Sequence, residues 1–294
     1  MASVAETATP IDPLPLVANR VYYRHSVLIR ITHWINALCI GFLIATGLNI
    51  FNAHPALYWG RYGADADNGR RWLEIGAVDR PGGGLQGMMR VGSVTLDTSG
   101  LLGTHTQPNG SVEQQGFPDW ATFPGHRDLA QARQWHFFFA WLFILSGLAY
   151  LIYGFATRHL QNDVWPRLKQ LSPASIVHDI VVHAKLQFPR GDSDREYHIL
   201  QRLAYAGTII VLLLMVATGL AMSPGIDAAT AGLLPSLFGG RASARSLHFI
   251  AMDLTIAFIV VHVAMVLLAG VYNQMRSMIT GWYDIGLARR GDDR

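Results

Sequence analysis

The stretch Ser246–Gly270, SLHFIAMDLTIAFIVVHVAMVLLAG, places two histidines, His248 and His262, inside an almost uninterrupted apolar run. The run is long enough to cross a bilayer as a helix. The histidines are fourteen residues apart, which at about 1.5 Å per residue separates them by roughly 21 Å along the axis. At about 100° per residue they finish only about 40° apart around it. One helix face therefore carries an imidazole near each side of a membrane. An imidazole inside hydrocarbon is costly unless partnered, and such a residue marks a functional site by default. Two of them, aligned and separated by most of the bilayer, point to two stacked metal centres.

The rest of the chain fits that setting. Of its 294 residues 51% are hydrophobic and only 15% charged, against about 25% charged in a typical soluble protein. Four nearly charge-free stretches, about 26–50, 134–156, 198–222 and 246–271, each exceed the roughly 17–20 residues that span the hydrocarbon core. They predict an all-α integral membrane fold, a four-helix transmembrane bundle forming one domain over residues 1–294. Buried helices of a large soluble protein are the alternative, and four such stretches in one chain weigh against it. The single cysteine, Cys39, falls in the first span, which excludes an intrachain disulfide and Cys-ligated zinc or iron–sulfur centres. The N-terminus has no basic start followed by an apolar core, so a cleavable signal peptide is not expected and the first span serves as its own insertion signal.

A net charge of +3 gives no reason to expect nucleic acid as a partner. The placement of the cations is more informative. Arg20, Arg24, Arg30, Arg158, Arg167, Lys169, Lys185, Arg190, Arg195, Arg202, Arg276, Arg289, Arg290 and Arg294 fall on one side of the four spans, whereas the short connection between spans three and four holds Arg241, with Arg245 at its edge. The excess of cations on cytoplasmic segments then puts both termini in the cytoplasm.

Residues 51–130, between spans one and two, form a long outer loop with turn signals in GRYGADADNGRR and RPGGGLQG, and with a stretch, MMRVGSVTLDTSG, that alternates partly like a short strand closing at Asp97–Gly100. Its Trp59, Tyr62, Trp72 and Trp120 argue against disorder. A loop of this length reads as a docking surface or cap. The inner loop, 157–196, contains SPASIVHDIVVHAKL, with Ser172 as N-cap and Pro173 at the first helical position. It reads as a cytoplasmic interfacial helix on the membrane surface. His178 and His183 are five apart, a poor spacing for two ligands, and read as interfacial residues. An internal echo, Ala45-Thr46-Gly47-Leu48 against Ala217-Thr218-Gly219-Leu220, ends spans one and three, with Ser146-Gly147-Leu148 similarly placed in span two. Small residues of this kind let helices or a flat macrocycle approach closely.

His33 lies in span one and His136 in span two. Span direction fixes depth. His33 is near the inner side, His136 near the outer side, His248 outer and His262 inner. The four sort into His136 with His248 and His33 with His262. Zinc usually takes four ligands, whereas haem iron takes two axial ligands from opposite faces, and two imidazoles leave no position open for oxygen. Arg30, Arg133 and Arg245 each precede a histidine by three residues, in Arg30-Ile-Thr-His33, Arg133-Gln-Trp-His136 and Arg245-Ser-Leu-His248. Residues three apart share a helix face, so these arginines are candidates to pair with haem propionates. Asp253, five residues after His248, points about 140° away from it and reads either as part of a proton path or as a hydrogen-bond partner of a neighbouring helix.

At Arg30, His33 and Trp34, at Gln134-Trp-His136, and at the two histidines of span four the chain resembles the bacterial dihaem b-type cytochrome superfamily, which includes cytochrome b561, the hydrogenase cytochrome b subunit and the formate dehydrogenase gamma subunit. The closing stretch, HVAMVLLAGVYNQMRSMITGWY, is similar to thiosulfate reductase cytochrome b subunit-like proteins. The resemblance implies two haem b groups between four helices of the bacterial inner membrane, ligated by His33, His136, His248 and His262, with quinone as exchangeable substrate. Family members open span three with Tyr-Asn-x-x-Gln and a basic residue. Here the stretch is Tyr197-His198-Ile199-Leu200-Gln201-Arg202, which makes His198 and Gln201 the quinone candidates. The implied activity is that of an electron-transfer subunit, relaying electrons between the quinone pool and a periplasmic molybdopterin oxidoreductase or cytochrome c docked on residues 51–130. A self-contained superoxide:quinone oxidoreductase of cytochrome b561 type is the alternative. Membrane lipid is the surrounding medium, and a homo-oligomer is compatible with the reading.

Overall fold

A computed structural model describes residues 21–63, 71–166, 172, 177, 181 and 199–284. The chain enters through a short strand, β1 (Val21–Tyr23), and turns into helix α1 (Val27–Asn52). Ser26 caps α1 by accepting from the Ile29 amide at 3.4 Å, and Asp128 caps α2 (Leu129–Ala156) by accepting from the Gln131 amide at 2.9 Å. Both supply an acceptor to otherwise unpaired amides of a first turn. After α2 come a π-helical turn at Leu160–Val164 and then α3 (Ile199–Met222). Two short helices, α4 (Pro224–Ala229) and α5 (Leu233–Leu237), lead to α6 (Arg241–Leu268).

α1, α2, α3 and α6 have mean hydropathies of 1.8 to 2.4 over their most apolar windows, yet only 11% to 22% of each window is buried within the protein. Apolar side chains turned outward in that proportion need lipid as their solvent. The chain is a multi-pass membrane protein, mostly helical. α1 packs along α2, and α3 along α6. Cys39, Phe139 and Phe143 form a buried cluster between the first two spans, where the rings of Phe42 and Phe139 stack at 4.2 Å.

The segment after α1 departs from the all-α expectation. It folds as antiparallel sheet: β2 (Ala56–Tyr58), β3 (Arg71–Asp79), β4 (Leu85–Val91) and β5 (Val94–Asp97) pair in that order, and β6 (Gly103–Thr106) pairs with β7 (Val112–Gln115). The physical reason is period-two burial. Leu73 and Ile75 point inward and pack with Leu57, with Phe51 from the last turn of α1, and with Phe249 from α6. The sheet is therefore seated on the ends of two spans.

A polar seam fixes it there. Ser243 accepts from the Gly60 amide at 2.7 Å, Ser246 donates to the Tyr58 carbonyl at 2.6 Å, and Trp72 donates its indole N–H to Ser246 at 2.9 Å. Gly240, which caps α6, has φ +120°, and a Cβ there would lie 2.5 Å from the Gly60 carbonyl oxygen, so only glycine allows this approach.

At the opposite end, α6 breaks at Gly270, φ +97°, and the chain continues as an amphipathic helix α7 (Val271–Thr280) and strand β8 (Trp282–Asp284). β8 pairs antiparallel with β1. Asn273 accepts from the Asp284 amide and donates to its carbonyl. Buried Arg202 of α3 donates to the carbonyls of Asn162 and Trp165 and anchors the π-helical turn. The surface helix expected within 157–196 lies outside the described residues except for Ser172, Val177 and Val181.

Candidate functional site

The four intramembrane histidines meet in two pairs. The ring centroids of His136 (α2) and His248 (α6) are 6.4 Å apart with planes at 58°, and those of His33 (α1) and His262 (α6) are 6.4 Å apart with planes at 56°. The first pair lies toward the sheet, the second toward the β1–β8 end. Two metal–nitrogen bonds of about 2 Å, added to the radii of two five-membered rings, bring imidazole centroids to roughly 6 Å. Each gap thus fits one metal ion held between two rings. Among the described residues no group of three or more His, Cys, Asp or Glu could hold a metal. Further ligands must then come with the metal, and porphyrin supplies four.

The polar atoms around the pairs agree with such a group. Arg30 Nε, His33 Nδ1 and Asn36 Oδ1, successive on one face of α1, are buried without hydrogen-bond partners. Orphans of this kind are rare in a folded protein, and a cofactor beside them supplies a physical reason. Around the sheet-side pair both Nδ1 nitrogens have partners. His136 Nδ1 is 2.9 Å from Thr46 Oγ1; His248 Nδ1 is 3.0 Å from Thr218 Oγ1 and 3.0 Å from the Met215 carbonyl. A Cβ on Gly47 would lie 3.6 Å from His136 Cε1, and one on Gly219 3.4 Å from His248 Cε1.

The three arginines are placed differently from one another. Arg245 is half-buried and donates to the carbonyls of His54 at 2.6 Å and Ala56 at 3.2 Å, so its terminal nitrogens serve the sheet seam. Arg30 donates to the Ile279 carbonyl of α7. Arg133 is exposed, with its guanidinium 5.7 Å from the Phe137 ring centroid. Trp34, next to His33, donates to the Met278 carbonyl at 3.2 Å, so α7 underpins the first turns of α1. Asp253 sits exposed on the face of α6 turned away from both histidine pairs. His178, His183 and His198 lie outside the described residues, and Gln201 stands half-buried in the first turn of α3.

A cavity of about 420 Å³ opens at the β1–β8 end, lined among others by Tyr22, Tyr23, Arg24, Tyr153, His159 and Asp163. Beside it, burial and then the neighbouring Arg24 guanidinium push His25 down to about 4. Sequence reasoning missed Thr46 and Thr218 as imidazole partners. Their signal is the Ala-Thr-Gly-Leu echo, whose small residues by themselves fit the close approach of helices or of a flat macrocycle.

A family model described as prokaryotic cytochrome b561 matches residues 24–281. The chain is also 35% identical over 153 residues, 52% of its length and 72% of the relative's, to the putative protein-methionine-sulfoxide reductase subunit YedZ1 of Azospira oryzae. The chain belongs to the prokaryotic cytochrome b561 family and is a membrane electron-transfer protein of haem b.

Proposed function

We propose that this protein is a dihaem relay of the bacterial inner membrane, with both termini cytoplasmic, exchanging electrons between a periplasmic redox protein and the quinone pool. The observation that carries the reading is the pair of equal imidazole gaps, 6.4 Å each, at two depths. His136 with His248 would hold the outer haem, His33 with His262 the inner one. Haem b supplies reversible one-electron transfer at each position, and two imidazoles exclude oxygen as a ligand. Arg30 and Arg133 are the propionate contacts this reading retains. Arg245 secures the sheet instead.

The outer sheet supports partner docking. In the segments that flank its strands Trp59, Tyr62 and Trp120 are exposed, Trp120 to 81%, and exposed aromatics of this kind are typical of binding surfaces. The partner is a molybdopterin oxidoreductase or a c-type cytochrome. The name of the Azospira relative, a reductase subunit, favours a partner that consumes electrons, so that they run outward from quinol. Quinone is assigned to the inner end, with His198 and Gln201 as its candidate contacts, and a cavity lined by Tyr22, Tyr23 and Tyr153 at the β1–β8 end supports this reading.

The test is the reduced-minus-oxidised spectrum of the purified protein with haem quantified per chain, followed by quinol-driven reduction in membranes. Two b haems, both reducible by quinol, are expected. A single haem, or no quinol response, overturns the relay.

A further inference from the structure

Thr46 ends span one, Thr218 ends span three, and both are fully buried. Each hydroxyl carries one proton, and each proton has a destination in its own helix. Thr46 Oγ1 donates to the Phe42 carbonyl at 2.7 Å, and Thr218 Oγ1 to the Leu214 carbonyl at 2.7 Å. Toward the imidazole each oxygen can therefore only accept. The nitrogens facing them, His136 Nδ1 and His248 Nδ1, must carry the ring proton, and a neutral imidazole has only one. Nε2 is left bare on both rings.

The same relation appears twice with the same backbone. The residue three before each threonine adds a carbonyl to the same ring: Leu43 to His136, and Met215 to His248 at 3.0 Å. The following residue is a glycine whose Cβ position lies against that ring's Cε1. The echo Ala45–Leu48 and Ala217–Leu220 is thus one device used by each half of the chain. The other pair lacks it: His33 Nδ1 is buried with no partner.

We propose that Thr46 and Thr218 are matched positioning residues that hold His136 and His248 in the Nδ1–H tautomer and turn both Nε2 lone pairs toward one haem iron. This rests on the haem-ligand reading of those histidines. Donation from the far ring nitrogen raises the basicity of a ligating imidazole, which favours ferric iron and lowers the potential of the sheet-side haem. Valine keeps the shape of threonine and removes the acceptor, while the two carbonyls remain, so a partial effect is expected.

The experiment uses the full-length protein with Thr46→Val, Thr218→Val, the double variant, and Thr46→Ser and Thr218→Ser. Thr255→Val is the control, a buried hydroxyl on the His248 helix that donates to the Ala251 carbonyl at 2.8 Å. Readouts are haem content, redox titration of the b absorbance, and electron paramagnetic resonance of the ferric haems. The sheet-side haem is identified by its loss in His248→Ala. The double Val variant should shift the oxidised-to-reduced ratio of that haem about tenfold toward reduced, about 59 mV for one electron, and should alter its resonance signal. The other haem, the Ser variants and Thr255→Val should stay as wild type. Loss of the sheet-side haem in Val variants, with Ser variants intact, supports the same conclusion. Val variants that keep both haems at wild-type potentials and signals overturn the proposal, as do Ser variants that shift as far as Val. Wild-type protein without haem b overturns instead the ligand reading beneath it.

Discussion

The guanidinium of Arg245 lies 2.6 Å from the carbonyl oxygen of His54, so the helical turn that carries His248 is bonded to the segment leading into the outer sheet. Hydrogen bonds from a charged donor contribute about 1.5–3 kcal/mol. Arg245→Ala should loosen β2 to β5, seen as faster backbone hydrogen exchange in those strands while the spans keep their protection. Arg245→Lys should rescue only in part, because an ammonium cannot reproduce the fork. Unchanged exchange together with an altered haem potential would return Arg245 to the propionate role.

His248→Ala should remove the sheet-side haem and spare the other, and His262→Ala should do the reverse. The check is haem per chain together with the surviving absorbance band. Loss of both haems in each variant would overturn the pairing by depth.

Gly47→Leu and Gly219→Leu should each expel or distort the sheet-side haem, since the first added carbon already touches the imidazole. Overpacking of this kind costs about 1–3 kcal/mol.

His25 is held down to about 4, below the ordinary histidine value of about 6.5. Between these values the unfolded chain binds a proton that the folded chain does not, so stability falls as pH falls from about 6.5 toward about 4. Thermal unfolding of detergent-solubilised protein should show this loss, and His25→Asn should flatten it. A slope unchanged in that variant would place the cause elsewhere.

Asp253 faces outward from a span, where a carboxylate is costly. Asp253→Asn should leave both haems and quinol reduction intact and should not lower stability. Loss of quinol reduction would revive a proton path through it.

Span positions were legible because apolar length needs no partner to be recognised. Which histidines share a level followed from chain direction alone, and the structure brings those same rings together. The outer sheet was legible only in part, in MMRVGSVTLDTSG, which read as a short strand and carries the end of β4 and all of β5. The rest was hidden because Gly76 and Gly87 interrupt the pattern of β3 and β4, and because part of the core comes from Phe51 and Phe249, which belong to spans. At Arg245 the sequence Arg-x-x-His looks the same whether the arginine serves a cofactor or a neighbouring carbonyl, and the structure shows it donating to the carbonyls of His54 and Ala56. The apolar run ends the fourth span at about 271, beside the break at Gly270, and carries no sign of the separate helix α7 that follows.

Each imidazole pair takes one ring from the first two spans and one from the last. During synthesis the first hairpin can thus enter the membrane with Thr46 already set against His136, yet it holds only half of either proposed metal site. The second half brings Thr218 and His248 prepared in the same way. On the proposed ligation, cofactor insertion waits for the fourth span, and once made it fastens the two halves to each other. Haem capture is then the last step of assembly, and a chain arrested before residue 241 would reach the membrane without the means to become coloured.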